Sequence, residues 1–304
     1  MADGHTPVLL REVMEVLQPG GGRRMLDATF GRGGHSRAML ATGASVVALD
    51  RDADAEVAAQ SLTVEFPGAF RFRRANFSAL SAVAEEWGPF DGILLDLGVS
   101  SPQLDTAARG FSFQQDGPLD MRMDQAATVS AAELVNRAAE PELAELIFKF
   151  GDEPRARRIA RAIVSARARE KITRTAQLAA VVEATVGGRR GAKIHPATKT
   201  FQALRIAVND ELGALRAALT AAPAALTMGG RLGVISFHSL EDRLVKQFIA
   251  TRSEPELRGE GQAFGWPNPD YCFRKIGRWL PADTEVAANP RARSARLRGA
   301  ERIA

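Results

Sequence analysis

The 304 residues are 45% hydrophobic and 25% charged, the composition of a globular protein with one large or two moderate domains. One cysteine, Cys272, excludes an internal disulfide and a cysteine-built zinc cluster. No apolar run nears the ~20 residues of a membrane span, and Met1-Ala2-Asp3-Gly4-His5 lacks a secretory leader's basic start and apolar core, so the cytoplasm is the expected compartment. The net charge of +4 is unevenly spread: residues 1–100 hold 9 Arg/Lys against 13 Asp/Glu, whereas residues 151–200 hold 12 against 4. The chain from Tyr271 onward is basic too. Cationic surface concentrated in this way is what a phosphate-backbone binder carries.

In chain order, Thr6-Pro7 opens a helix, with threonine as N-cap and proline in the first turn. Leu9, Leu10, Val13, Met14 and Leu17 give it one apolar face, and Pro19-Gly20-Gly21-Gly22 ends it. Met25-Leu26-Asp27 is a short strand leading into Ala28-Thr29-Phe30-Gly31-Arg32-Gly33-Gly34-His35, after which Ser36-Arg37-Ala38-Met39-Leu40 reads as helix. Glycines let the backbone take positive φ and let a ligand approach it closely, while the helix start behind them offers unpaired N–H groups. A second strand, Ser45-Val46-Val47-Ala48-Leu49, closes on Asp50, 19 residues after Gly31, a distance suited to an acid that binds ribose hydroxyls. The dinucleotide fingerprint G-x-G-x-x-G fails here, because Ser36 stands at its third glycine. Asp-x-x-x-Gly-x-Gly with an acid ending the next strand instead looks like the methionine-side loop of class I S-adenosylmethionine methyltransferases.

A helix over residues 54–62, a strand Phe70-Arg71-Phe72-Arg73 ending at Asn76-Phe77, and the apolar strand Phe90-Asp91-Gly92-Ile93-Leu94-Leu95-Asp96 continue the alternation. Such alternation predicts an α/β, doubly wound parallel sheet, with ligands beyond the strand C-termini. Asp50, Phe77 and Asp96 lie on that rim, with Asp27 just before it. Residues 97–105 and 109–124 then read as loop, a long irregular stretch that favours a functional lid or inter-domain segment. Helical patterns run from about Ser130 through Val186; Arg157 and Arg161 share one face, Ile159 and Ile163 roughly the opposite one. A helix over 200–219 and a strand Arg231-Leu232-Gly233-Val234-Ile235-Ser236-Phe237 follow. Ser239 and Asp242 resemble a capping box opening a helix over 240–249. The simplest organisation is a helical, basic insert over 109–199 between strands of a discontinuous core, 1–108 and 200–304.

Several stretches together resemble the RsmH (MraW) family: His5-Thr6-Pro7-Val8-Leu9-Leu10, Asp27-Ala28-Thr29-Phe30-Gly31-Arg32-Gly33-Gly34-His35-Ser36, Asp96-Leu97-Gly98-Val99-Ser100-Ser101-Pro102-Gln103-Leu104-Asp105 and Arg109-Gly110-Phe111-Ser112-Phe113. So do Asp116-Gly117-Pro118-Leu119-Asp120-Met121-Arg122-Met123-Asp124, His195-Pro196-Ala197-Thr198, Ser236-Phe237-His238-Ser239-Leu240-Glu241-Asp242-Arg243 and Asn289-Pro290-Arg291-Ala292-Arg293-Ser294. The likeness runs nearly end to end and is weak only over 187–193 and 252–266. It implies a class I S-adenosylmethionine methyltransferase core with a Rossmann-like sheet and an inserted helical domain. It further implies N4-methylation of a cytidine in the decoding centre, the P-site region, of bacterial 16S rRNA, with the small ribosomal subunit as the expected partner.

The resemblance carries cofactor contacts onto Gly33, Gly34, His35, Asp50, Phe77, Asp96 and Gln103. On chemistry alone, Asp50 suits ribose hydroxyls and Phe77 could pack on adenine. Asp96 could hold the methionine ammonium, accept from the target amine, or do both in turn, and is the expected catalytic residue. A D/N-P-P-Y/F motif is absent after the fourth strand, where Asp96-Leu97-Gly98-Val99 stands; Phe111, Phe113 and Phe237 are the candidate aromatic grips. Arg155, Arg157, Arg158, Arg161, Arg167, Arg169, Arg291 and Arg293 are expected as a group to meet phosphates, and His238 to meet either the nucleotide or the next helix start. His5 and His195 have no partner at metal-ligand spacing, so no metal is expected. Asp116, Asp120 and Asp124 fit a solvated or lid loop better than a cation site. A non-catalytic RNA-binding assembly protein and a nucleotide-cofactor oxidoreductase are the competing readings.

Overall fold

A computed structural model of the chain describes residues 7–188, 195–257 and 265–304. The chain divides into two compact units, Met1–Gly98 with Leu212–Ala304, and Val99–Glu211.

The first unit is built on a seven-stranded sheet. Its strands are β1 (Arg24–Asp27), β2 (Ser45–Asp50), β3 (Phe70–Arg74), β4 (Phe90–Asp96), β5 (Leu226–Ser236), β8 (Phe273–Trp279) and β9 (Arg296–Arg302), in the spatial order β3-β2-β1-β4-β5-β9-β8. The first five are parallel; β9 runs against them and pairs antiparallel with both β5 and β8. Helices α1 (Leu10–Leu17), α2 (Gly34–Ala41), α3 (Ala55–Glu65), α4 (Leu80–Trp87), α11 (Glu211–Ala225) and α12 (Ser239–Arg252) accompany it, with the short α13 (Asp283–Ala288) before β9. A two-stranded pair, β6 (Glu256–Leu257) and β7 (Trp266–Pro267), lies between α12 and β8.

The near-continuous apolar run of β4 reflects burial on both faces. Ile93 and Leu95 join Leu26, Leu49, Leu215, Leu219 and Val245 in one core, while Leu94 joins Met25, Val46, Ala48, Val13, Met39 and Ile235 in the other. Strand order reverses between β1 and β4, the switch point at which the loops leave in opposite directions and a crevice opens. Asp27 pairs in register with Leu94 and Ala48, so Asp96 and Asp50 each project two residues farther along that rim.

The start of α1 differs from expectation. Val8 and Leu9 lie in a turn, Leu9 takes a left-handed φ of 54°, and the helix opens at Leu10; Thr6 and His5 lie outside the described residues. Asp242 is also not the capping partner of Ser239. The N-cap is His238, paired with Glu241.

The second unit holds α5 (Ser101–Asp105), α6 (Ala131–Arg137), α7 (Glu140–Gly151), α8 (Ala156–Arg167), α9 (Thr175–Val186) and α10 (Thr198–Asn209). Ile147, Ile159, Ile163, Leu178, Phe201 and Leu204 share one core. Its borders lie outside 109–199 because Leu104 of α5 and Phe201 and Leu204 of α10 pack into this helical core. The helix expected over 200–219 is two helices, broken where Asp210 takes φ 44°. The irregular backbone of the 109–124 stretch, expected as a functional lid or inter-domain segment, is anchored within the second unit. Gly117 N–H donates to Thr175 Oγ1 (3.1 Å), Leu119 N–H to the Thr173 carbonyl (2.8 Å) and Met123 N–H to Asn209 Oδ1 (2.8 Å), with Leu119 and Met121 fully buried. Asp116 pairs with Arg174 and Asp120 with Arg122, so both carboxylates are taken up inside the unit.

Candidate functional site

The turn between β1 and α2 is held by groups at the ends of three strands. Gly31 and Gly33 have φ of 56° and 76°, which glycine adopts without a Cβ penalty. Gly31 N–H donates to Asp50 Oδ2 (2.8 Å) while Asp50 Oδ1 accepts from Asp52 N–H (2.8 Å), so the acid ending β2 steadies the turn from outside. Burial raises the Asp50 pKa against the pull of these two bonds. On the other side, Asp96 N–H donates to Thr29 Oγ1 (2.6 Å), tying the turn to the end of β4.

The three glycines do different jobs. A Cβ on Gly33 would stand 2.7 Å from the Phe30 ring, and one on Gly34 would run into the Pro7 ring, so packing within the protein demands glycine there. A Cβ on Gly31 would meet nothing within 4 Å, which leaves open space beside the backbone for something else.

Acids gather behind the turn. Asp27 is buried, accepts from Ser36 Oγ (2.7 Å) and Thr29 N–H (3.3 Å), and is raised to about 6, chiefly by burial. Ser36, at the position where a dinucleotide fingerprint would need glycine, is thus the partner of the early aspartate. Asp96 is raised well above the ordinary carboxylate range by burial first, then by Asp27 and Glu241. Its Oδ1 is buried without a hydrogen-bond partner among the described residues, and its Oδ2 lies 3.6 Å from His35 Nδ1. His35 is buried, which lowers its pKa to about 4, and its Nε2 lies 3.1 Å from the Val8 carbonyl oxygen. Phe77 opens the turn after β3 on the same rim and leans on the core beneath.

Gln103 lies in the second unit, where its Oε1 accepts from Ser100 N–H (2.9 Å) and closes the cap of α5. His238 caps α12: its Nδ1 lies 3.5 Å from the Glu241 backbone nitrogen and its Nε2 3.1 Å from Glu241 Oε1, with the side chain 9% exposed. That placement gives it to the helix start more than to solvent. Phe111 is buried and Phe113 stacks on His195 and Phe201 at 4.5 and 4.7 Å between centroids, so both are core rings of the second unit. Phe237 lies over Gly98, two residues past Asp96.

Among the expected phosphate contacts, Arg157, Arg158 and Arg169 are exposed, and their side chains make no ion pair or hydrogen bond with the described residues; Arg161 reaches Glu140 at 3.4 Å. Ile159 and Ile163 bury the opposite face of α8. Arg167 is half-buried and donates to the Val135 carbonyl (2.6 Å), and Arg155 donates to the Val186 carbonyl (3.0 Å), so these two brace the helical unit. Arg291 and Arg293 are exposed on the short 3-10 turn Pro290–Ser294. Sequence reasoning missed Thr29, Glu241 and the Val8 carbonyl. Only Glu241 left a signal, as the acid three residues after a histidine that precedes a helix.

A profile of the MraW methylase family matches residues 2–303. A protein of Methylobacterium sp. (strain 4-46) named ribosomal RNA small subunit methyltransferase H is 51% identical over 306 aligned residues, covering 98% of this chain and 90% of its own. Proteins of the same name from Mesorhizobium japonicum and Caulobacter vibrioides are 52% and 48% identical, covering 98% of this chain each and 87% and 95% of their own.

Proposed function

The chain belongs to the MraW methylase family of S-adenosylmethionine-dependent methyltransferases, and we propose that it methylates N4 of a cytidine in the decoding centre of bacterial 16S rRNA, acting in the cytoplasm on the small ribosomal subunit. The names of its relatives support a small-subunit rRNA substrate. What carries the reading to a catalytic enzyme is Asp96: a half-buried carboxyl on the switch-point rim, its Oδ1 buried and unpartnered among the described residues, facing a turn whose Gly31 borders open space. A protein that only bound RNA would have no use for an unsatisfied polar atom buried at that spot.

The donor set fits the cofactor. S-adenosylmethionine, when bound, supplies a methyl group made electrophilic by its sulfonium charge. Asp50, with a lone pair to spare on each oxygen, suits the ribose hydroxyls; the backbone of Gly33, Gly34 and His35 suits the methionine half; Phe77 suits the adenine face. Asp96 completes the set in the first unit, and Gln103 is assigned to it by the family likeness alone. Cytosine N4 is a poor nucleophile because its lone pair is delocalised into the ring, so Asp96 would orient that amine and take up its proton as the methyl bond forms. Phe237, over Gly98, is the aromatic ring best placed in the first unit to steady a base. Arg157, Arg158, Arg161 and Arg169 supply phosphate contacts without reading sequence, joined by Arg291 and Arg293. No helix among the described residues is long and apolar enough to cross a membrane.

The test is transfer of labelled methyl from S-adenosylmethionine to small subunits from cells lacking this modification, with nucleoside mass spectrometry of the product. Label on cytidine N4 is expected. Label on another atom overturns the N4 assignment, and cofactor binding with no label in RNA would favour the assembly role.

A further inference from the structure

The contact between the buried His35 and the half-buried Asp96 has a feature that the reaction above does not use. The Val8 carbonyl beside His35 Nε2 can only accept, so that nitrogen carries the hydrogen and Nδ1 presents a lone pair. Facing it at 3.6 Å is Asp96 Oδ2, another acceptor. Two acceptors aimed at each other in a buried place repel, whereas one proton between them makes the contact attractive once it closes by roughly half an ångström.

The other titratable groups acting on Asp96 sharpen the contrast. Asp27 on β1 and Glu241 on α12 add negative charge, and Asp50 on β2 adds more to Asp27. No arginine or lysine of the first unit pairs with Asp96 among the described residues, and His238 lies against Glu241. Burial keeps His35 neutral, so the proton belongs to Asp96 and the imidazole positions it. The ring itself is fixed from behind. Pro7 abuts Gly34, and Leu9 N–H donates to Glu285 Oε1 (2.8 Å), which holds the Val8 carbonyl against Nε2.

We propose that the ligand-free protein keeps a proton between Asp96 Oδ2 and His35 Nδ1, and that an ammonium group arriving at Asp96 Oδ1 expels it to solvent, so that uptake of the methyl donor releases one proton. The proposal rests on the donor reading above, the ammonium being that of the methionine half. It makes His35 a positioning residue: it stabilises the acid form of Asp96 until the cation replaces the proton, leaving a carboxylate able to accept from the target amine. Charge balances, with one positive charge entering and one leaving.

Isothermal titration calorimetry of the full chain with S-adenosylhomocysteine, in buffers of different ionisation enthalpy over a series of pH values, counts protons released. On the acid side of the Asp96 range close to one per ligand is expected for the wild type, and close to none at any pH for Asp96→Asn. Affinity should weaken by about tenfold per pH unit on acidification while Asp96 is protonated in the free protein, and level off once pH passes its range. In His35→Asn, whose amide can donate to the carboxylate, the pH at which half a proton is released should move down; a merely structural histidine would leave it in place. Binding without proton release in the wild type overturns the coupling and leaves the donor reading intact. Release that persists undiminished in Asp96→Asn assigns the proton to Asp27 and overturns it too. Failure of the wild type to bind the nucleoside at all removes the donor reading itself.

Discussion

The two units put charge to opposite uses. In the first, Asp27, Asp50 and Asp96 sit at the ends of β1, β2 and β4, fixed by Thr29, Ser36, Gly31 N–H and His35 within a few ångströms. In the second, Arg157, Arg158 and Arg169 stand exposed on or just past a helix whose far face is buried. Burial magnifies the effect of a charge and of its loss; exposure and salt screening dilute both. On the proposed function, chemistry would be concentrated in a few first-unit atoms, while RNA affinity would be spread thinly over many second-unit side chains.

Substitutions can break that contrast. Asp96→Asn should lower methyl-transfer turnover by about 10²–10⁴-fold, the range for a removed proton acceptor, with RNA affinity nearly unchanged; steady-state kinetics against filter binding would show it. Asp50→Ala should weaken donor binding by about 10–100-fold through the loss of hydrogen bonds to a charged group, read by calorimetry. The Gly31→Ala and Gly33→Ala pair comes next: left-handed φ at a non-glycine residue costs about 1–3 kcal/mol, and Gly33→Ala adds a clash with Phe30. Gly33→Ala should thus lose stability in urea, whereas Gly31→Ala should lose donor affinity out of proportion to its stability.

Asp27 supplies a pH test with a definite sign. Its pKa is raised from 3.8 to about 6. Its stabilising contribution is therefore fully present below 3.8 and is lost as pH rises through about 6. Asp27→Asn should erase that decline between about pH 4 and 6 in urea midpoints of the ligand-free protein. Smallest of all are the single arginines. Each of Arg157, Arg158, Arg161 and Arg169 changed to alanine should cost RNA binding about 1 kcal/mol or less, and the quadruple variant should flatten the salt dependence by up to ~0.7 for every phosphate it no longer neutralises. A single arginine variant as damaging as Asp96→Asn would mean the second unit does more than hold phosphates.

The parallel half of the sheet is legible because β1, β2 and β4 are apolar runs that each stop at an acid. The antiparallel strands are not. In β8, Phe273-Arg274-Lys275-Ile276-Gly277-Arg278-Trp279 has its arginines and lysine exposed, so the stretch reads as basic surface. Residues 109–124 read as loop, a lid or inter-domain segment, because their bonds run to Thr175, Thr173 and Asn209, far along the chain. At the site, Asp50 and Asp96 announce themselves by ending strands. The restraint on His35 leaves no trace in the sequence, since it comes from a backbone carbonyl steadied by Glu285, 276 residues from the Leu9 amide it binds.

The order of strands also bears on how this protein can be made. β9, drawn from Arg296–Arg302, lies inside the sheet between β5 and β8, and pairs with both. During synthesis the growing sheet therefore waits with a bare flank on β5 until those residues clear the ribosome's exit tunnel. Loss of Arg296–Arg302 would leave that flank bare permanently, producing a chain prone to aggregate rather than a slightly shorter enzyme.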